Sequence, residues 1–143
     1  MENKIIWITG ASSGIGKALA IKFANEGWKV AASARREQLL KELNITNPNI
    51  HPYPLDVTNI EQCKSVFENI LKDFKNIHIC VFGTGIMDSK SEKKFNLQNI
   101  RKIMEVNFFG IMNSVNAIYD FYSEKKSGQI SIISSVSGYR GLP

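Results

Sequence analysis

Apolar positions along the chain alternate between two periods from end to end. Short β-rich runs occupy Lys4 to Thr9, Lys29 to Ala34, Ile50 to Pro54, Ile77 to Phe82 and Gln129 to Ser134, each bounded by Gly, Pro, Asn or Ser. Between them lie stretches with helical spacing. Ile15 to Glu26 predicts a helix stopped by Gly27 in a left-handed conformation, and Arg36 to Leu43 predicts a shorter one. Thr58 to Phe74 opens with Thr58-Asn59-Ile60-Glu61, a capping box, and places Ile60, Cys63, Phe67, Ile70, Leu71 and Phe74 on one face. The fourth pattern, Leu97 to Tyr122, distributes Ile103, Met104, Val106, Phe108, Ile111, Met112, Val115, Ile118 and Phe121 around most of the helix. That predicts burial on several sides, one against a sheet and another against a second subunit.

Strands alternating with helices over short connections predict an α/β fold, a doubly wound, Rossmann-like parallel sheet with helices on both faces. No linker, repeat or low-complexity segment interrupts it, so the chain is expected to form one domain over residues 1–143. Ligands in such folds collect beyond the carboxyl ends of the strands, which directs attention to the residues that follow each strand.

Composition narrows the class. The chain has 143 residues, 43% hydrophobic and 22% charged, enough apolar material for a core; with 2 cysteines it is no disulfide scaffold. Eighteen Lys and Arg against 13 Asp and Glu give a net charge of +5, but only Lys90 to Lys94 approaches a cluster, read as a solvated loop. Neither a nucleic-acid partner nor a membrane partner is expected. The N-terminus has no signal-peptide pattern and no apolar run approaches the roughly 18 residues of a membrane span, so a cytoplasmic location is the default expectation. Cys63 and Cys80 lack metal-ligand spacing and read as small core residues; no metal site is expected.

Chemistry begins after the first strand, at Thr9-Gly10-Ala11-Ser12-Ser13-Gly14-Ile15-Gly16. Gly10, Gly14 and Gly16 let the backbone turn sharply and approach a pyrophosphate, whose charge meets the N–H groups and positive dipole end of the helix opening near Ile15. The G-x-x-x-G-x-G spacing is neither the G-x-G-x-x-G fingerprint nor a P-loop.

This loop resembles the cofactor loop of the short-chain dehydrogenase/reductase family, Thr-Gly-x-x-x-Gly-x-Gly, and four further segments follow in that family's order. The resemblance implies an NAD(P)-dependent oxidoreductase that moves a hydride between nicotinamide and a carbonyl or alcohol substrate. At the end of the second strand, Ser33-Ala34-Arg35-Arg36 stands where an acidic residue would bind the ribose of NAD. Ala34 cannot do so, whereas Arg35 offers a fork for a 2′-phosphate beside Arg36, with Ser12 and Ser13 able to add hydroxyl contacts; NADP (NADPH) is therefore expected over NAD. Asp56-Val57 matches the family's Asp-Val, whose carboxylate accepts from the adenine amino group, although Asp56 also suits a helix start near Thr58. Where the family shows Asn-Asn-Ala-Gly, this chain has Phe82-Gly83-Thr84-Gly85. Gly83 and Gly85 remain candidates for close approach to the cofactor, but both Asn side chains are gone, which puts the rigidity of the site in question.

Asn107, in Asn107-Phe108-Phe109-Gly110, resembles the family's Asn-x-x-Gly; it is either a member of a proton relay or a satisfied core amide, with Gly110 relieving helix packing. Ser135 corresponds to the catalytic serine that hydrogen-bonds the substrate oxygen; Ser134, Ser135 and Ser137 also suit an ordinary loop. The family's Tyr and, four positions later, Lys do not follow. Tyr139 is too close to Ser135 and is followed at that spacing by Pro143, while Tyr122 and Lys126 have the spacing but precede the serine strand. The chain is thus expected to be truncated after its fifth strand, inactive alone, with that strand left as an open edge, and the complete form a homo-oligomer. Two other readings stand beside the enzyme: a non-catalytic NADP-binding module or inactive fragment, and a doubly wound methyltransferase, which Asp56-Val57 and Ser135 oppose.

Overall fold

The computed structural model of the chain describes residues 4–87 and 95–140. Its centre is β1 (Ile5–Thr9), an unbroken apolar strand buried along its whole length, as a parallel strand covered on both faces must be. β2 (Lys29–Ser33) and β4 (Ile79–Phe82) flank it; β3 (Ile50–Pro52) lies beyond β2 and β5 (Gln129–Ile132) beyond β4. The order β3-β2-β1-β4-β5 is parallel throughout, with Thr9 in register with both Ser33 and Phe82. This is the doubly wound, Rossmann-like sheet expected. Backbone bonds from Tyr53 to Ala32, Leu55 to Ala34 and Ile133 to Phe82 carry the pairing past the formal ends of β3 and β5.

Alternation along β1 divides the core. Ile6 and Ile8 face α1 (Gly14–Asn25) and α2 (Glu37–Thr46), packing with Ala20, Ala24, Leu40 and Leu43. Ile5 and Trp7 face α3 (Ile60–Phe74) and α5 (Gly110–Lys125), with Cys63, Phe67, Ile70 and Ile118. Trp7 is fully buried, stacks on Phe67 at 6.2 Å, meets Phe82 edge-on at 5.6 Å and donates its indole N–H to Ser33 Oγ at 2.9 Å. The one polar atom of the largest core side chain is thereby satisfied.

Helix ends differ from the pattern in instructive ways. Gly27 takes the expected left-handed conformation (φ 85°) just after α1. α2 runs one turn further, to Thr46. Asn59 rather than Thr58 caps α3, accepting from Gln62 N at 2.9 Å, because the Thr58 hydroxyl is committed to Asp56. Ile60 is 42% exposed rather than buried: as the first helical residue it stands clear of the sheet, and Val66 takes a place on the inner face.

The fourth helical pattern becomes α4 (Leu97–Met104), a π turn (Glu105–Phe109) and α5, in which the Gly110 N–H bonds Glu105 O five residues back. Val106, Ile111, Ser114 and Ile118 are buried on its inner side, while Met104, Phe108, Phe109, Met112 and Tyr119 are exposed on the other. β5 lies at the sheet's edge, with Ile130 and Ile132 41% and 48% exposed. Among the described residues no helix is long and apolar enough to cross a membrane. The basic run from Lys90 to Lys94 and Pro143 lie outside the described residues.

Trp7→Ala removes the residue that ties β1 to β2, β4 and α3, and is expected to lower stability by about 3–5 kcal/mol. Urea unfolding followed by the fluorescence of the remaining Trp28 measures it; an unchanged midpoint would contradict this account of the core.

Candidate functional site

The loop leaving β1 turns at Gly10, whose φ of 74° suits glycine. A Cβ there would lie 2.7 Å from Gly83 O and 3.0 Å from Thr84 N, so the β1 and β4 loops pass with no room for a side chain. Ala11 N bonds Ser33 O at 3.1 Å, anchoring the same loop to β2. Gly14, φ 54°, opens α1, and a Cβ on Gly16 would lie 2.4 Å from Gly10 O. The first turn of α1 is therefore pressed against the loop. It carries no acidic residue, and Ser13 at the N-cap makes no side-chain cap bond, leaving a helix end suited to an anion.

Arg36 closes this end. Its Nη2 donates to Ser12 Oγ at 2.9 Å and Ser13 Oγ at 2.8 Å, whereas Arg35, exposed like Arg36, makes no such bond among the described residues. Both arginines line one cleft of about 600 Å3 with Gly10, Ser12, Ser13, Gly14, Ile15, Gly16, Gly83 and Gly85. Of the cofactor candidates only Asp56 and Val57 lie outside that lining. Asp56 Oδ1 accepts from Thr58 N at 3.0 Å and Thr58 Oγ1 at 2.8 Å, and Asp56 N donates to Gln62 Oε1 at 2.7 Å. Val57 is buried beneath α5: a Cβ on Gly110 would meet Val57 Cγ2 at 2.5 Å, and Asn113 Nδ2 donates to Val57 O at 2.9 Å. The close packing expected of Gly110 is thus against Val57.

After β4 the missing asparagines are replaced by other ties. Thr9 Oγ1 accepts from Gly83 N at 3.3 Å. Asn107, carried by the π turn, accepts from Ile86 N and donates to Ile86 O, both at 2.8 Å. The loop that leaves β4 is consequently held at both ends. Thr84 Oγ1 between them is buried and has no hydrogen-bond partner among the described residues. Ile86 and Asn113 are structural members of the site that motif reading missed, and Thr9, the first residue of the loop motif, had been given no role of its own. An Asn in an otherwise apolar helix is a visible signal for such a tie, but Asn113 matched no motif.

Ser135 lies just past β5 and caps a short 3-10 turn (Val136–Gly138). Its Oγ accepts from Ser137 N at 3.2 Å and pairs with Ser137 Oγ at 2.7 Å. Ser135 and Asn107 line a second cleft of about 680 Å3, walled by Ile103, Met104, Phe108, Ile111 and Met112 of the long helix. Gly83, Gly85 and Ile133 border both clefts, which therefore adjoin. Tyr122 is remote from them: its hydroxyl reaches Ile77 O at 3.3 Å and Cys80 Sγ at 3.4 Å, at the opposite end of β4. Tyr139 is 95% exposed.

Cys63 and Cys80 are both buried. Burial pushes the Cys63 thiol up to about 11 and the Cys80 thiol up to about 12, so both stay protonated at neutral pH. Among the described residues no group of three or more His, Cys, Asp or Glu side chains is placed to hold a metal ion.

The family model for short chain dehydrogenases matches residues 4–143. A dehydrogenase/reductase SDR family protein 7-like of Dictyostelium discoideum is 34% identical over 151 residues, covering 98% of this chain and 48% of that protein. The 3-oxoacyl-(acyl-carrier-protein) reductase FabG of Thermotoga maritima is 31% identical over 147 residues, covering all of this chain and 60% of the relative. Among solved structures, ElxO with NADP bound superposes with a TM-score of 0.91 at 27% identity, covering 99% of this chain and 59% of that one. A short-chain dehydrogenase from Streptomyces avermitilis gives 0.89 at 28%, covering 98% and 52%. The chain spans about half to three fifths of the length of these proteins.

Two outcomes are expected. At pH 8 neither thiol should react with iodoacetamide until urea unfolds the chain; because both folded values lie above the ordinary 9.0, stability is retained below pH 9 and falls as the pH rises towards 11. Rapid labelling of the native protein at pH 8 would contradict the burial described. Gly16→Ala, forced against backbone that cannot give way, should cost about 1–3 kcal/mol in a denaturation curve and distort the loop.

Proposed function

Since this chain belongs to the short-chain dehydrogenase family, we propose that it is the NADP-binding domain, over residues 1–143, of an oxidoreductase acting on a carbonyl or alcohol substrate. The observation that carries the cofactor assignment is the Arg36 fork held on the hydroxyls of Ser12 and Ser13, beside a loop where Gly10 and Gly16 leave backbone bare. A dinucleotide fits this cradle: the bare loop and the α1 end suit its pyrophosphate, and a guanidinium flanked by two hydroxyls suits a further phosphate on the ribose. ElxO, which has the same fold, has been solved with NADP and with NADPH bound, which supports the reading.

When bound, the nicotinamide supplies or accepts the hydride. The chain's own residues position the reactants. Gly83 and Gly85 allow close approach to the ribose, Asp56 accepts from the adenine amino group, and Asn107 steadies the loop between the clefts. In the second cleft Ser135 donates a hydrogen bond to the substrate oxygen and orients it for proton transfer. Within the family that proton belongs to a Tyr-x-x-x-Lys pair, and none follows Ser135 in these 143 residues. Two subunits meeting on the exposed side of α4 and α5 complete the proposal.

Titration of the chain with NADPH and NADH, followed by cofactor fluorescence, is the direct test. NADPH should bind the more tightly. Arg36→Ala should weaken it about tenfold to a hundredfold, the worth of a charge-assisted bond, and leave NADH little changed. Equal affinities for both cofactors, before and after the substitution, would overturn the assignment. In a protein joining this chain to the family's Tyr and Lys, Ser135→Ala should lower kcat about a hundredfold to a thousandfold; full activity would remove Ser135 from the mechanism.

A further inference from the structure

Val57 joins the two halves of the site. Its carbonyl oxygen takes the Asn113 Nδ2–H at 2.9 Å and lies 3.6 Å from the Cys63 Sγ, while its side chain fills the notch that Gly110 leaves in α5. The residue before it, Asp56, has Oδ1 taken by Thr58 and Oδ2 without a hydrogen bond among the described residues. The orientation of that open oxygen therefore depends on how the Leu55–Thr58 segment is seated. Two contacts seat it from α5, Asn113 on the carbonyl and Gly110 under the side chain. Three residues earlier than Gly110 on the same helical run, Asn107 holds Ile86 between the two clefts.

We propose that Asn113 is a positioning residue for base recognition: by holding Val57 O it aims Asp56 at the exocyclic amino group of adenine. The proposal rests on the reading of Asp56 as the adenine acceptor. Asn113 itself lines neither cleft. A side chain in a helix on the substrate side thus sets the fidelity of the cofactor's distal end.

Discrimination between NADPH and deamino-NADPH, whose hypoxanthine has no amino group, measures this and nothing more general. The wild-type chain should prefer NADPH by about tenfold. Asp56→Ala should abolish the preference; if the preference survives, the reading of Asp56 is wrong. With that control satisfied, Asn113→Leu should bring the two affinities to within about twofold, and Asn113→Gln, which keeps the donor, should restore part of the difference. A general loosening of the fold would weaken both cofactors alike and leave their ratio at the wild-type value, and that result would overturn the proposal. Gly110→Ala, pressing on Val57 from the same helix, is an independent lever and should also lower the ratio; should Asn113→Leu fail to fold, Asn113→Ala removes the same donor, and an unchanged ratio in both Gly110→Ala and Asn113→Ala would count equally against the proposal.

Discussion

At the boundary of β1 and β4 two stretches of backbone lie closer than a Cβ permits, and a third, the first turn of α1, is pressed in the same way against the loop that leaves β1. Backbone is the least compliant neighbour a side chain can meet. The three segments therefore behave as one piece, and the position of everything built on them follows: the bare loop, the helix end and the bed on which Gly83 and Gly85 lie. The Trp7 cluster keeps the piece in register, because it packs β4 and α3 onto β1 and spends its one polar atom on β2. The cleft is open at the top because its floor is closed.

The long helix on the other side is less uniform than its apolar pattern, and the departure has a purpose. One extra residue in a helical turn shifts the phase of all that follows by about 100°. The π turn places Asn107 opposite Ile86, while Gly110 lies against Val57 and Ser114 and Ile118 remain on the buried side. A chain without the asparagines usual after β4 thus recovers its ties from Thr9 and Asn107. The question raised by Gly83 and Thr84 about the rigidity of the site finds its answer in side chains that lie far away in sequence.

Most of the fold was legible in the residues because a strand buried on both faces has to be apolar throughout and a helix on a sheet has to be apolar on a stripe. Where reading failed, two residues of equal local merit competed. Thr58 and Asn59 both suit a cap; the Thr58 hydroxyl turned to Asp56, so the amide of Asn59 received the helix N–H. Arg35 and Arg36 both offer a fork, and which one faces the α1 loop depends on the angle at which the chain leaves β2 for α2. Asn113 matched no motif, since its partner is the carbonyl of a residue that motif reading valued only for its place after Asp56.

By itself, then, the sequence determined the order of elements, the burial of the central strands, the glycine-rich loop after β1 and the family, because each is written in neighbouring residues and obeys a short period. The tertiary structure alone decided which arginine meets the serines, how the β4 loop is held, and that α5 reaches across to Val57. Those outcomes depend on contacts between residues 21 to 74 positions apart in the chain. No local pattern encodes such distances; only the packing of helices onto a sheet of fixed order brings the partners within reach of a hydrogen bond.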